Sequence, residues 1–409
     1  MQPVVYVVSR FPKVTETFVI DEVVGVRRLG VPVQVLSLMR TDEGVVQPAA
    51  ADLVASTSFG ERSPVWLLAA QAYWLRRRPL LLLRLWSRVV RQNRSSVGEW
   101  TKSVVTALVA VAWARDLHGR DIGRLHAHWA THPALAAYLM SHLIDVPYGF
   151  TAHAHDLYGE NGMLGEKLRA ADLIVTISEF NVALLRDRFG ASAERVELLH
   201  CGVDRSLFTP EPVRKGRLDP LRLLCVASLT DYKGHRHLLD ALALLATRGH
   251  AVTCALVGDG PLRAQLEAQV RALGLEASVQ LLGRRAAPEV RQLLVDCDVF
   301  VLPSVRTSDG IMEGIPVALM EALASGRPAV ASRLSGIPEL VEDGVTGLLV
   351  PPGDPVALAD ALQRLAMHDE LRAALAAAGP KRVAHGFDQE ANVARLLELF
   401  EARALPSLA

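Results

Sequence analysis

The chain has 409 residues, half of them hydrophobic and 22% charged, and this balance excludes a disordered or low-complexity protein. At about 150 residues per domain, the length predicts two or three domains. The 44 Lys and Arg residues equal the 44 Asp and Glu residues, so the formal net charge is zero. That balance argues against a dedicated nucleic-acid-binding protein.

The N-terminus and the cysteines indicate a chain that folds in a reducing compartment, and we expect a cytoplasmic location. Residues 1–8 lack the basic region and long apolar stretch of a signal peptide, and they are typical of a β-strand. The four cysteines are scattered, with no CxxC pair and no zinc-type spacing, so we predict small buried side chains rather than disulfides. No apolar run approaches the roughly 20 residues of a membrane-spanning helix.

Short β-branched runs alternate with helical patterns along the chain, which predicts an α/β protein with parallel sheets covered by helices. The strands predicted before residue 205 are Val4–Ser9, Val33–Ser37, Arg124–His128, Pro147–Ala152, Leu173–Ile177 and Val196–His200, with helices at Thr17–Leu29, Pro133–Leu143 and Glu179–Phe189. The strands predicted after a Pro-, Arg- and Lys-rich loop at 210–220 are Leu221–Ser228, Val252–Gly258, Val279–Gly283, Val299–Pro303, Pro328–Ala331 and Gly347–Val350. Two such blocks predict two facing, doubly wound, Rossmann-like domains at 1–205 and 206–385, with a cleft between them and a last helix within 386–409.

An arginine-rich segment at residues 62–98 interrupts the alternation. It contains eight arginines and no acidic residue, so the rest of the chain is more acidic than basic. Pro79 can begin a helix in which Arg84, Arg88 and Arg91 share one face, opposite a side formed by Leu82, Leu85, Trp86 and Val89. This pattern is typical of a helix on anionic lipid, and equally of a helical insertion that packs its apolar side on the first domain.

The most informative stretch is Ser304–Gly326, SVRTSDGIMEGIPVALMEALASG. A predicted strand ends before it, and a helix is predicted to begin near Pro316 and to stop at Gly326. Glu313 lies just before that helix, and Glu321 follows eight residues later inside it. Because a helix N-terminus attracts phosphate or sugar oxygens, and a carboxylate can accept hydrogen bonds from paired sugar hydroxyls, this pattern favours a nucleotide-sugar site. Taken alone, it fits two solvated glutamates around an ordinary helix start better.

This stretch resembles the E-x7-E motif of the retaining family 4 glycosyltransferases, which have the GT-B architecture of two facing Rossmann-like domains. Further motifs follow in the order of that family, and the first-domain motifs resemble the branch that builds bacterial exopolysaccharide, capsule or colanic-acid-like glycans. These motifs are SRFPKVTETFVIDEV at 9–23, HAHWA at 126–130, FTAHAHDLY at 150–158, HCGVD at 200–204, SLTDYKG at 228–234, VGDGPLRAQLE at 257–267, LLGR at 281–284 and SGIPELVEDGVTGLLVPPGD at 335–354.

The resemblance implies roles for individual residues. Glu321 would hold the ribose hydroxyls of a nucleotide-sugar donor, and Glu313 would hold hydroxyls of the transferred sugar. Lys233 would contact the diphosphate, where a cation offsets charge that builds on the leaving group. His153 matches the active-site histidine that lies against the donor sugar, and Asp156 follows at the motif's acidic position. The remaining donor contacts implied lie at Gly283, Arg284, Gly314, Ile315 and Val317.

Two donor-side positions depart from the family pattern. Ser228 stands where the family usually has an arginine, and Arg236 or the Arg284–Arg285 pair are the candidates to supply the missing positive charge. Pro316 stands where many relatives have glycine, so one backbone N–H is lost near the sugar. If neither candidate supplies that charge, the first departure predicts a diphosphate held less tightly or a reduced activity.

The first loop departs as well. The family's glycine-rich loop is replaced by Phe11–Glu16, as in the polysaccharide branch. Lys13, Glu16 and Thr17 are therefore the candidate contacts of this loop, with Asp156 as a further candidate on the acceptor side.

Three nearby histidines raise the question of a metal site. His126 and His128 alternate on a predicted strand and His132 follows on the next helix, which is not a typical ligand spacing. The family's transfer chemistry generally needs no metal. We therefore predict no metal site and no cofactor, with the nucleotide sugar as co-substrate.

The resulting hypothesis is a retaining glycosyltransferase that moves a sugar from a UDP- or GDP-linked donor to a saccharide or lipid-linked saccharide acceptor in cell-envelope glycan synthesis. Its predicted partners are the donor, the acceptor and an anionic membrane surface contacted through residues 62–98. One alternative keeps the activity but uses a small secondary metabolite as acceptor, such as an antibiotic aglycone or aminoglycoside. Another is a catalytically silent GT-B protein that binds a glycan or nucleotide sugar, which Ser228 favours and the retained His153, Lys233, Glu313 and Glu321 disfavour.

Overall fold

The computed structural model describes residues 1–13, 16–41, 51–93, 96–159 and 161–403. Residues 14–15 of the first loop and Arg94 of the arginine-rich segment therefore lie outside the described residues. The chain divides into two compact units. Unit 1 comprises Met1–Leu199 and the chain from Glu390 onward, and unit 2 comprises His200–Gln389.

Unit 1 contains a parallel sheet whose strands are buried on both faces. Its strands are β1 (Val4–Arg10), β2 (Val33–Met39), β3 (Ser58–Phe59), β4 (Arg124–His128), β5 (Tyr148–Ala152), β6 (Leu173–Thr176) and β7 (Val196–Leu198). They are arranged in the order β3-β2-β1-β4-β5-β6-β7. Val4 pairs with Val33 of β2 on one side and with Arg124 of β4 on the other, which fixes the register of the central strands.

Helices cover both faces of this sheet. They are α1 (Thr17–Arg28), α2 (Ala51–Ser56), α3 (Pro64–Arg77), α4 (Pro79–Gln92), α5 (Val97–Leu117), α6 (His132–Ile144), α7 (His155–Tyr158), α8 (Leu164–Ala170) and α9 (Glu179–Phe189). Because side chains alternate along a strand, Val5 and Val7 of β1 enter a core that contains Trp74 and Trp113. Tyr6 and Val8 enter the core on the other face.

Unit 2 repeats the architecture with a six-stranded parallel sheet. Its strands are β8 (Leu221–Val226), β9 (Val252–Val257), β10 (Val279–Gly283), β11 (Val299–Leu302), β12 (Ala329–Ser332) and β13 (Leu348–Val350), in the order β10-β9-β8-β11-β12-β13. Its helices are α10 (His235–Thr247), α11 (Arg263–Ala272), α12 (Ala287–Asp296), α13 (Val317–Ala324), α14 (Ile337–Leu340), α15 (Pro355–Met367) and α16 (Asp369–Ala384). The last helix, α17 (Gln389–Ala402), contributes Val393, Leu396 and Phe400 to a core of unit 1.

Both sheets have the doubly wound, Rossmann-like strand order, and every predicted strand is present. The order reverses between β1 and β4 in unit 1 and between β8 and β11 in unit 2. In such sheets ligands bind beyond the carboxyl ends of the strands at this switch point. The predictions did not specify α2, α5, α7 or α8, and they missed β3. A two-residue strand paired with β2 is too short to show a hydrophobic period.

The arginine-rich segment forms α3 and α4, and α4 begins at Pro79 as predicted. Leu82, Leu85 and Val89 are at most 4% exposed and lie in a unit 1 core. The apolar side of α4, which would face lipid in the membrane interpretation, therefore packs inside unit 1. Arg88, predicted to share a solvated face, donates to the Tyr138 hydroxyl at 2.5 Å because that face borders α6. Among the described residues, no helix combines the length and apolarity needed to cross a bilayer.

Candidate active site

In unit 2, the loop after β8 and the loop after β11 pack tightly against each other at the switch point. Gly234 closes the first loop with φ +72°, and a Cβ there would lie 1.9 Å from the carbonyl oxygen of Pro303. Only glycine combines that backbone conformation with so close an approach. The contact places Lys233, at the end of the first loop, beside the loop that follows β11.

Lys233 and Glu313 form an ion pair at this position, although 80 residues separate them in the chain. Their side chains are 13% and 12% exposed. Burial alone would lower the pKa of Lys233, but the Glu313 carboxylate, together with the nearby Tyr232 and Cys225, raises that pKa overall. The residues predicted to contact the diphosphate and the transferred sugar therefore meet as a charged pair: a cation suited to phosphate and a carboxylate suited to hydroxyl groups.

Several polar atoms at the start of α10 and on the loop after β11 have no partner among the described residues. Both ring nitrogens of His235 and the hydroxyl of Ser304 are buried without a hydrogen bond. Burial and the neighbouring Lys233 lower the pKa of His235 to about 4, so its ring is neutral. Since buried polar groups are normally hydrogen-bonded, unsatisfied ones at the start of α10 and on the loop after β11 are consistent with a site that a polar ligand completes. Sequence reasoning did not select either residue.

The Glu313 loop is held in place from a third segment. The Ser335 hydroxyl donates to the carbonyl oxygens of Glu313 and Gly314, and Ser335 itself has φ +46°, uncommon for a residue other than glycine. Ser335 belongs to the quoted SGIPE motif but was not selected as a site residue. The loop leads into α13, which has Pro316 as its N-cap, so Gly314, Ile315 and Val317 surround the helix N-terminus. Glu321 lies on the second turn, partly buried.

The remaining donor-side candidates lie where β8, β9 and β10 end. Gly283 accepts a hydrogen bond from the Gly258 N–H at 2.9 Å, and Arg284 after it is exposed. The Ser228 hydroxyl is 3.2 Å from the Thr230 hydroxyl, so a short neutral side chain stands where the family usually has an arginine. Arg236, one candidate for the missing charge, is half exposed and bonded to Asp231 at 2.9 Å.

In unit 1, His153 lies directly after β5 with its ring enclosed by aromatic side chains. The ring centroids of Trp129, Phe18 and His128 lie 4.4, 4.8 and 5.3 Å away. Burial, reinforced by His128, lowers the pKa of His153 well below the usual histidine value, so the imidazole is neutral. Trp129 adopts φ +80°, a strained conformation of the kind that clusters at functional sites.

Asp156 fixes the backbone around His153. Its carboxylate accepts from the N–H groups of Ala130 at 2.7 Å, His153 at 3.0 Å and Ala154 at 2.8 Å, and the side chain is buried. Burial raises the pKa of Asp156, against the effect of these hydrogen bonds. This geometry makes Asp156 a group that orients the loop.

The first loop reaches the same cluster through Trp129. The Trp129 indole N–H donates to Glu16 Oε2 at 3.3 Å, and Lys13 Nζ donates to Glu16 Oε1 at 2.5 Å. Thr17 is the first residue of α1. Of the three first-loop candidates, Lys13 and Glu16 are thus joined to the aromatic enclosure of His153.

Of the three histidines considered for a metal, two are neighbours and the third has another partner. His126 and His128 lie with Glu22, and the possible ligand atoms of the three lie within 4.8 Å of one another. His132 instead lies 3.6 Å from Glu99. His128 uses both nitrogens in hydrogen bonds to Glu22 and His153, at 3.1 Å each, and His126 Nε2 is 2.9 Å from the Thr151 hydroxyl. These hydrogen bonds use three of the four ring nitrogens of His126 and His128, while His126 Nδ1 is buried without a partner among the described residues. Glu22 is the member that sequence reasoning missed.

Two family profiles match the chain. The family described as "Glycosyltransferase Family 4" matches residues 15–207, and the one described as "Glycosyl transferases group 1" matches residues 220–368. The matched ranges contain every candidate described above except Lys13.

Individual proteins are similar over the whole chain or half of it. WcaL of Escherichia coli (strain K12), named as a colanic acid biosynthesis glycosyltransferase, is 31% identical over 96% of this chain and 98% of its own. The amylovoran biosynthesis glycosyltransferase AmsK of Erwinia amylovora is 38% identical over 53% of each chain. The crystal structure of HepE from Anabaena with UDP-glucose has a TM-score of 0.74 at 19% identity, over 98% of this chain and all of that one. That structure supports the likeness of fold alone.

Proposed function

The chain belongs to the family 4 glycosyltransferases, and from that premise we propose that it transfers a sugar from a UDP- or GDP-linked donor to a saccharide or lipid-linked saccharide acceptor in exopolysaccharide synthesis. The names of WcaL and AmsK support the polysaccharide acceptor. Both names refer to the biosynthesis of a polysaccharide, colanic acid or amylovoran, and neither refers to a small metabolite.

The observation that carries the proposal is the Lys233–Glu313 pair at the switch point of unit 2. Lys233 would neutralise charge on the donor diphosphate, and Glu313 would accept hydrogen bonds from the transferred sugar. Glu321 would hold the ribose, while the backbone near Gly283 would hold the base. In unit 1, His153 would contact the sugar as a neutral imidazole.

We further propose that transfer retains the anomeric configuration and needs no metal ion. Because Glu313 is paired with Lys233, it is poorly suited to act as a nucleophile on the anomeric carbon. Attack of the acceptor on the face that the phosphate leaves then accounts for retention, with the leaving phosphate taking the acceptor's proton. Lys233 would supply the positive charge that a metal supplies elsewhere.

A panel of nucleotide sugars tests the donor site without knowledge of the acceptor. Purified protein is titrated with UDP- and GDP-linked hexoses, and binding and slow donor hydrolysis are measured. Glu321→Ala and Lys233→Ala should lower donor hydrolysis, and transfer once the acceptor is known, by orders of magnitude with the fold retained. Glu276→Ala, an exposed site on the same unit, should have no effect. Near-normal turnover in either of the first two variants would contradict the assigned roles.

The mechanism is tested separately. Once donor and acceptor are known, the product anomer is read by proton NMR, and the rate is measured with and without EDTA. We expect the donor's configuration and an unchanged rate. An inverted product would refute retention, and loss of activity that Mg²⁺ or Mn²⁺ restores would refute metal independence.

We also propose that unit 1 contacts an anionic membrane through α3 and the start of α4. The apolar side chains of Val65, Leu68, Leu75, Leu80 and Leu83 are 50–74% exposed. Arg76, Arg77 and Arg84 are exposed among them, which matches the charge of acidic lipid headgroups. The chain would then act at the cytoplasmic face of the membrane, where a lipid-linked acceptor lies.

Liposome sedimentation tests this surface. Vesicles with and without anionic lipid are compared for wild type, Leu68→Glu on α3 and Val356→Glu, a control that is 52% exposed on unit 2. We expect binding to anionic vesicles that Leu68→Glu weakens and Val356→Glu leaves unchanged. Equal sedimentation of wild type and Leu68→Glu would contradict the proposed surface.

A further inference from the structure

A chain of hydrogen bonds in unit 1 ends at His153. The Tyr6 hydroxyl donates to Glu22 Oε1 at 3.0 Å, and His128 Nε2 lies 3.1 Å from the same oxygen. His128 Nδ1 lies 3.1 Å from His153 Nε2. Tyr6, His128 and His153 are at most 3% exposed, so water does not compete with these contacts.

The chemistry of Glu22 sets the direction of the protons along this chain. An ionised carboxylate only accepts hydrogen bonds, so His128 Nε2 must carry a proton. In a neutral His128, Nδ1 is then an acceptor, and the proton between the two rings belongs to His153 Nε2. His153 is neutral, so its Nδ1 carries a lone pair.

We propose that Glu22 and His128 are positioning residues that hold His153 in its Nε2–H tautomer, so that His153 Nδ1 can only accept a hydrogen bond, the polarity that a sugar hydroxyl donor requires. This inference rests on the proposed role of His153 at the transferred sugar. It assigns a role to two residues that do not themselves touch the donor.

The surroundings of His153 favour orientation over proton transfer. Its backbone N–H is held by Asp156, its carbonyl oxygen accepts from Asn181 Nδ2, and its ring is enclosed by Trp129 and Phe18. Burial lowers its pKa, which makes it a poor proton acceptor for catalysis. A ring enclosed by aromatic side chains, with its tautomer set by the hydrogen bond to His128, is suited to a directional hydrogen bond.

The tautomers are observable directly, in protein without donor. Long-range ¹H–¹⁵N NMR spectra are recorded at pH 8 on protein labelled with ¹⁵N-histidine, for wild type and three variants. In wild type we expect His153 and His128 each to carry the proton on Nε2. Tyr6→Phe removes the other hydrogen bond to Glu22 and should leave both tautomers unchanged. His128→Asn retains an oxygen acceptor and should keep His153 as Nε2–H, whereas His128→Leu should give a mixture.

Two spectral results would overturn the inference: a wild-type His153 protonated on Nδ1, or a His128→Leu spectrum in which His153 is still entirely Nε2–H. In transfer assays, His128→Leu should lower kcat/KM by about tenfold, comparable to one lost hydrogen bond, and His128→Asn should restore most of it. A protein with the expected tautomers that transfers sugar from no donor would contradict the proposed function alone. Efficient transfer with the opposite tautomer would contradict this inference alone.

Discussion

Replacing Lys233 by Met tests how much folding stability is lost when the buried Glu313 carboxylate has no charged partner. Glu313 would lose its charged partner at 12% exposure. Removing one partner of a buried pair costs about 3–5 kcal/mol. The unpaired carboxylate can instead take up a proton and become neutral. Protonation costs about 1.36 kcal/mol for each pH unit above the ordinary glutamate pKa of about 4.3, so the loss of stability at pH 7.5 is limited to about 4 kcal/mol. At pH 5.5 the same limit is only about 1.6 kcal/mol.

Urea denaturation at both pH values measures these free energies, provided that the variants share one m value. We expect Lys233→Met to lose about 3–4 kcal/mol at pH 7.5 and less than 2 kcal/mol at pH 5.5. The double variant with Glu313→Gln should recover most of the loss, since no buried charge remains. Arg248→Met, which breaks the more exposed pair with Asp360, is the control and should cost less than about 1 kcal/mol. A Lys233→Met loss as small as the control's, or one that does not change with pH, would refute the reasoning.

Three further predictions concern the same units. Gly234→Ala should lower the free energy of unfolding by more than Gly249→Ala does. Both glycines have positive φ, but only at Gly234 would a Cβ lie 1.9 Å from the carbonyl oxygen of Pro303. In thermal denaturation the control Gly249→Ala should cost about 1 kcal/mol, and equal losses in the two variants would count against the tight contact. Burial lowers the pKa of Lys167 to about 7. Above pH 7 the unfolded chain therefore binds a proton that the folded chain does not, and the free energy of unfolding rises with pH. The stability of wild type relative to Lys167→Met should therefore rise by up to about 2–3 kcal/mol from pH 7 to 9, and a constant difference would contradict this. Arg78→Ala should cost under about 1 kcal/mol in urea denaturation, because its pair with Asp145 is exposed to solvent, and a loss of several kcal/mol would contradict that.

The sequence predicted the elements of this protein well because their signals are local. β-branched runs, Pro79 at a helix start and Gly326 at φ +67° after α13 each report the backbone conformation of a few neighbouring residues. The same locality explains the omissions: β3 has two residues and takes its strand character from pairing with β2. Likewise, the apolar side of α4 was visible in the sequence, but whether a core or a lipid covers it was not.

The candidate site was predicted in part, because residue types show what a side chain can do but not what it meets. Lys233, Glu313 and His153 were selected by motif. Glu22 and Ser335 were not, since each acts through contacts with residues that lie elsewhere in the chain. Glu22 lies 106 residues from His128, and Ser335 lies 22 residues from Glu313.

By itself, the sequence determined the alternation of strands and helices, the doubly wound class and the side chains available for chemistry. Only the tertiary structure decided which of them meet. Lys233 pairs with Glu313 because β8 and β11 are neighbours in the sheet. His128 reaches both Glu22 and His153 because β4 lies between β1, which leads into the helix that holds Glu22, and β5, which leads to His153. Periodicity records which face of an element is apolar, whereas contacts between distant residues depend on strand order, and the order is set by how the whole core packs.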